Sequence, residues 1–218
     1  MKNNLEILYE DNHIIVVVKP FNILSQSDDT KDIDMLTLIK SYLKEKYNKP
    51  GNVYLGLIHR LDRPTGGIMV FAKTSKAASR LSEQIRLNLF TKKYLAIVNG
   101  YFDEKAGVFE DYILKKEDNS SIISKDGKYA KLEYEVLKEK SNLSLVNILL
   151  YTGRHHQIRV QFASRNHPLY GDQRYGETSK KQLALFAYYL SFNHPVTKEK
   201  LEFIKYPDKV GIWKEFIC

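Results

Sequence analysis

A single carboxylate, Asp62, stands between two guanidinium-bearing residues in the run His59-Arg60-Leu61-Asp62-Arg63-Pro64-Thr65-Gly66-Gly67. Pro64 restricts the backbone and the two glycines allow it to turn sharply or to be approached closely. The apolar run that follows, Ile68 to Ala72, reads as a buried strand. A carboxylate mounted this way can act as a nucleophile, a general base or a metal ligand. It can equally close a salt-bridged turn. A metal site would need further ligands close by, and none of the usual His-Glu spacings is present, so no metal is expected.

The second cluster is Thr152-Gly153-Arg154-His155-His156-Gln157-Ile158-Arg159. It follows a strand-like stretch, Leu143 to Tyr151, and Gly153 supplies a turn. A short helix is predicted over His155 to Arg165, which sets the two histidines about 100° apart. Polar and cationic side chains opening a helix can cradle an anion. Arg159 can also reach an acid on another strand. If that acid is Asp62, the pair holds the carboxylate ionised in a partly dry site. Tyr94 lies behind two lysines at the mouth of a third strand, Lys93 to Val98, where a tyrosine can stack on a base or fill a core.

These groups need elements to position them. Leu5 to Tyr9, His13 to Lys19 and Val53 to Ile58 read as strands. Asp34 can cap a helix with Met35, Leu38, Ile39, Tyr42 and Leu43 on one face. Ser75 can cap another, running to about Asn88. Residues 21 to 33 are polar and read as loop, and residues 101 to 126 are weakly patterned, with short strands. Tyr129 to Leu137 alternates cleanly, Leu183 to Phe192 is apolar, Leu201 to Ile204 reads as a last strand, and Pro207 can start a closing helix. Strands without strict alternation with helices predict an α+β chain with a mostly antiparallel sheet, as one domain over residues 1–218.

The 218 residues carry 34 Lys and Arg against 26 Asp and Glu, a formal net charge of +8. The excess is concentrated. From His59 to Lys93 there are eight basic residues against Asp62 and Glu83, and from Arg154 to Lys181 six against Asp172 and Glu177. Two such segments can build one phosphate-binding face or two solvated surfaces. The lone cysteine, Cys218, permits neither an intrachain disulfide nor a cysteine zinc site. With no signal-like start and no apolar run of roughly 20 residues, a soluble cytoplasmic protein off the membrane is expected.

His59-Arg60-Leu61-Asp62, with Thr65, Gly67 and Ala72-Lys73 after it, resembles the first signature of the RluA-type family of RNA pseudouridine synthases. Lys92 to Val98 resembles the second. Thr152 to Val160, followed by Gly171-Asp172 and Tyr175-Gly176, resembles the third, and Leu190 to Pro195 resembles the C-terminal strand. The resemblance implies a pseudouridine synthase fold: a central mixed, largely antiparallel sheet, flanking helices and a basic central cleft, with no cofactor. It implies that Asp62 is the catalytic aspartate, that Tyr94 packs on the target uracil, and that Arg159 pairs with Asp62. Arg60 would displace the target base or hold its place. His59, Arg63, Arg154, His156 and Gln157 are the remaining expected substrate contacts. The partner is expected to be structured RNA, ribosomal or transfer, handled by a monomer. Gly66 departs from the family's frequent Ser, and Gln161 from a frequent His. An S4-type RNA-binding domain is not expected, since the first strand starts near Leu5. Two other classes fit parts of this pattern. A non-catalytic RNA-binding protein needs the basic face but not Asp62, Tyr94 and Arg159 together. A nucleoside hydrolase usually wants two acids about the bond.

Overall fold

Six consecutive buried residues, Ile14–Lys19, form β2, and the β-branched side chains of the first five are why this segment is extended. In the computed structural model, which describes residues 5–30, 32–178 and 180–217, the backbone gathers into two units. One holds the residues through Phe90 together with Tyr189–Lys205, the other Thr91–Tyr188 and the residues from Tyr206 on. Cys218 and the first four residues lie outside the described residues.

In the first unit β1 (Glu6–Glu10) pairs antiparallel with β2, and β2 pairs antiparallel with β4 (Gly66–Ala72), Ile14 opposite Ala72 and Lys19 opposite Gly67. The short β3 (Gly56–Leu57) also pairs with β4. The expected strand over Val53 to Ile58 is thus only its centre. Helix α1 (Met35–Lys46) begins at Asp34, whose carboxylate accepts from Thr37 N at 3.1 Å. Helix α2 (Ser75–Arg86) is capped by Thr74 rather than Ser75. Thr74 is the residue with extended backbone, and its Oγ1 accepts from Ala77 N at 3.2 Å. Ile14, Val16, Ile68, Val70, Leu81, Phe90 and Phe192 are buried in one core.

In the second unit the strands are β5 (Thr91–Asn99), β6 (Ala106–Lys115), β7 (Ser121–Ile123), β8 (Lys128–Lys140) and β9 (Leu143–Leu150). They run in the order β5-β9-β8-β6-β7, every pairing antiparallel. Helix α3 spans only Gln157–Ala163. Its Phe162 meets Phe109 at 5.0 Å and Tyr134 at 5.9 Å between ring centroids, so α3 covers the sheet face that carries those rings. β10 (Leu185–Asn193) starts in this unit and ends in the first, where it pairs with β11 (Lys200–Ile204). The expected closing helix is a single 3₁₀ turn, Gly211–Glu215. Among the described residues no helix is long and apolar enough to cross a membrane, a statement about helices alone. The α+β class and the antiparallel sheet agree with the sequence reading.

Candidate active site

The segment around Asp62 is held from beneath by two buried residues that sequence patterning passes over. Ser25 Oγ donates to the carbonyl of Leu61 at 2.7 Å and accepts from its N–H at 3.1 Å. Lys19, at the end of β2 and fully buried, gives its Nζ to the carbonyls of Pro20 (3.0 Å), Ile23 (2.5 Å) and Arg63 (3.0 Å). The chain is therefore tied on both sides of Asp62, and the Asp62 carbonyl accepts from Thr65 N at 2.9 Å to close the turn. Burial pushes the Lys19 ammonium down to about 7, against the pull of the Asp62 carboxylate. Asp62 itself is half-buried.

The two flanking arginines divide their roles. Arg63 extends to Asp32, Nη1 to Oδ2 at 2.8 Å, with both side chains about half exposed. Arg60 is exposed. His59 turns inward: its Nε2 accepts from Val70 N at 3.2 Å, and its ring meets Phe90 edge-on at 6.4 Å. That geometry makes His59 a brace between the turn and β4.

In the second unit, His156 adopts a left-handed backbone, φ 54°, and this starts α3 two residues later than expected. The histidines consequently stack, with ring centroids 3.8 Å apart, instead of diverging. Gln157 fixes the turn before them. Its Oε1 accepts from Thr152 Oγ1 (2.7 Å) and Arg154 N (3.0 Å), and its Nε2 donates to Lys131 O (3.1 Å). Gln157, an expected substrate contact, is buried and holds this turn. Arg154 is exposed and donates through Nε to Tyr129 O at 2.7 Å.

Arg159 is buried and grips Asp172 with two bonds, Nε to Oδ2 at 2.8 Å and Nη2 to Oδ1 at 2.7 Å. Asp172 Oδ1 also accepts from the N–H groups of Arg174 and Tyr175. Burial alone would raise the Asp172 carboxyl, but the Arg159 contacts outweigh it and hold it below the usual range. Gly171 makes the approach possible at φ 74°, and a Cβ there would lie 2.3 Å from Gln182 O. The bidentate grip occupies two of five guanidinium donors. It orients the rest of the group, and Tyr175 lies under it at 5.2 Å.

The Tyr175 hydroxyl accepts from Ser121 N at 2.7 Å and is hydrogen-bonded to His156 Nδ1 at 2.8 Å. Burial first, then Arg159 and His155, depresses His156 to about 3, so it is a neutral imidazole. Tyr94 is 6 % exposed and sits opposite Ile148, which is opposite Tyr134. It therefore lies on the sheet face that α3 covers, the side that carries Arg159's helix.

Of the expected residues, the structure groups Asp62, His59 and Arg63 on one turn, with Arg60 exposed beside them, and Tyr94, Arg154, His156, Gln157 and Arg159 in the second unit. The Asp172 signal was present in the sequence as Gly171-Asp172, but without a role. Lys19 could have been noticed as a charge ending an otherwise apolar strand. Gln161, one of the two departures, is fully buried, with Nε2 on Asp111 Oδ2 at 2.7 Å, and serves packing.

Residues 13–164 match the RNA pseudouridylate synthase family. A ribosomal large subunit pseudouridine synthase C from Buchnera aphidicola (subsp. Schizaphis graminum) is 31% identical over 93% of this chain and 68% of its own length. An uncharacterized RNA pseudouridine synthase from Aquifex aeolicus is 34% identical over 91% of this chain and 68% of its own. The chain thus spans about two thirds of the length of these relatives. Among solved structures, human RNA pseudouridylate synthase domain containing 4 superposes with a TM-score of 0.78 at 24% identity, over 93% of this chain and 89% of that one, a likeness of fold.

Proposed function

The chain belongs to the RNA pseudouridylate synthase family, and on that premise we propose that it isomerises uridines of ribosomal RNA with Asp62 as the catalytic carboxylate. The reaction breaks the bond between ribose C1′ and base N1, turns the base, and joins C1′ to C5. A proton leaves C5 and one is gained at N1, so nothing enters or leaves in sum. As the first bond breaks, C1′ becomes electron-poor. An ionised Asp62 stabilises that centre, adds to it, or takes a proton from the sugar.

A target within a helix must first leave its stack, at a cost of a few kcal/mol. Arg60, exposed next to Asp62, is the group proposed to fill the vacated place. Phosphate contacts from the basic stretches 59–93 and 154–181 offset the cost. Tyr94 is proposed to pack on the extruded uracil. Arg159, held rigid by Asp172, is proposed to serve Asp62, and the chain works as a monomer.

The observation that carries this reading is the mounting of Asp62. Two buried side chains, Ser25 and Lys19, are committed to fixing the backbone on either side of one half-buried carboxylate. A salt-bridged surface turn needs no such support. Ribosomal RNA is favoured by what the Buchnera relative is named for acting on. The test is a pseudouridine map of cellular RNA with and without this protein. Loss of one or a few sites in the large-subunit ribosomal RNA is expected. Sites lost only from transfer RNA would overturn the substrate, and an unchanged map would overturn the activity. Release of free uracil would point to a hydrolase instead.

A further inference from the structure

Lys92 has a role the reaction scheme has not used. It stands two residues before Tyr94 in β5, so its side chain leaves the strand on the same side. It is half-buried, and its Nζ comes against the turn that precedes α3, 3.9 Å from where a Cβ on Gly153 would be. That Cβ position has no other neighbour within 4 Å, so the approach along Gly153 is open. Among the described residues the Lys92 ammonium has neither a counter-ion nor a hydrogen-bond acceptor. Burial alone displaces it, downward, with no carboxylate opposing.

Other inward-facing cations among the described residues are matched. Lys73 is paired with Glu10, Arg159 with Asp172 and Arg165 with Asp111, while Lys19 has its three carbonyls. A half-buried ammonium without a partner is unfavourable in the free protein and becomes favourable when an anion arrives. It also suits a compact anionic oxygen, since it acts as a point charge with three rotatable donors. Resting on the proposed activity, we infer that Lys92 is a phosphate clamp: it holds the RNA phosphodiester beside the target uridine while Tyr94 holds the base. Lys92 is thus a positioning residue for the extruded nucleotide, and its contribution falls on binding more than on bond breaking.

The test compares wild type, Lys92→Met and Lys92→Arg on a large-subunit ribosomal RNA transcript, with Kd measured from 50 to 200 mM salt alongside KM, kcat and thermal midpoint. For Lys92→Met, Kd and KM should rise about tenfold, and the slope of log K against log salt should become shallower by about 0.7–0.9, the loss of one phosphate contact. Its kcat should fall less than threefold. Lys92→Arg should bind within threefold of wild type. The thermal midpoint of Lys92→Met should equal or exceed that of wild type, because an uncompensated cation has been removed. An unchanged salt slope would overturn the clamp. So would a lowered midpoint with no rescue by arginine, which would make Lys92 structural, or a loss of kcat at constant Kd. If the wild type makes no pseudouridine in this transcript, the proposed activity on ribosomal RNA fails, and the salt slope still decides the clamp.

Discussion

Ser25 and Lys19 show how the segment that carries Asp62, the proposed catalytic carboxylate, is held through its backbone by buried side chains. Removing the Ser25 hydroxyl leaves both the N–H and the carbonyl of Leu61 without their buried partner. An unmatched buried polar group costs about 1–3 kcal/mol. Ser25→Ala should therefore lose about 2 kcal/mol of stability in urea unfolding and lower kcat about tenfold, because the loosened turn no longer fixes Asp62. A variant with unaltered kcat would show that the Ser25 bonds do not govern the site. Ser25 was not legible in the sequence, and Lys19 showed only as a charge ending an apolar strand, without a role. Their bonds join positions 36 and 44 residues apart, and side chain to backbone bonds over that distance leave no local pattern. Asp62, Tyr94 and Arg159 were singled out by the family motifs, and their roles are proposals. Arg159's grip on Asp172, 13 residues on, was visible only as two motifs without a link between them.

At the level of elements, periodicity was read well where one face is buried. β2 is apolar up to its last residue, Lys19, and β8 alternates, and both appear where expected. β6 was obscured because Glu110, Asp111 and Lys115 interrupt its pattern while only Phe109 and Ile113 are buried. The start of α3 moved because one residue, His156, takes a left-handed conformation that propensity does not foresee for histidine. The contact between β1 and α1 yields a pH prediction. The Glu10 side chain is 7% exposed and binds Lys46 and Lys73 at 2.8 and 2.7 Å. Burial opposes its charge, but Lys46, Lys73, Tyr47 and Tyr42 prevail and bring it down to about 2. A carboxyl whose folded value lies below its unfolded one stabilises the fold above about 4.5, and that contribution is lost as pH falls toward about 2. Its size is on the order of 2 kcal/mol, allowing for solvent screening at half-exposed Lys46. Glu10→Gln should be less stable than wild type by about that amount at pH 7. The gap should close on acidification through this window, as followed by urea unfolding at pH 7, 4 and 3. A gap that widens in acid would contradict the assignment.

Across the whole molecule, charge and composition permit a polyanionic partner but fix neither that partner nor the placement of groups. The backbone gathers into two units whose boundary at Phe90 and Thr91 has no compositional marker. Long-range strand pairing decides such boundaries, and β10 passes from one unit to the other. The basic excess is also not uniform in use. Lys73, Arg159 and Arg165 are committed to carboxylates, while Arg60, Lys76, Arg154, Lys180 and Lys181 are exposed and available to phosphates. Binding should therefore survive loss of a single buried acid, and the chemistry should not. The measurement that bears on this most directly is pseudouridine formation by Asp62→Asn on an RNA that the wild type modifies, with Kd for that RNA taken in parallel. No detectable pseudouridine with Kd within a few-fold of wild type is expected; a substituted protein that still converts uridine would show that the carboxylate does not perform the reaction.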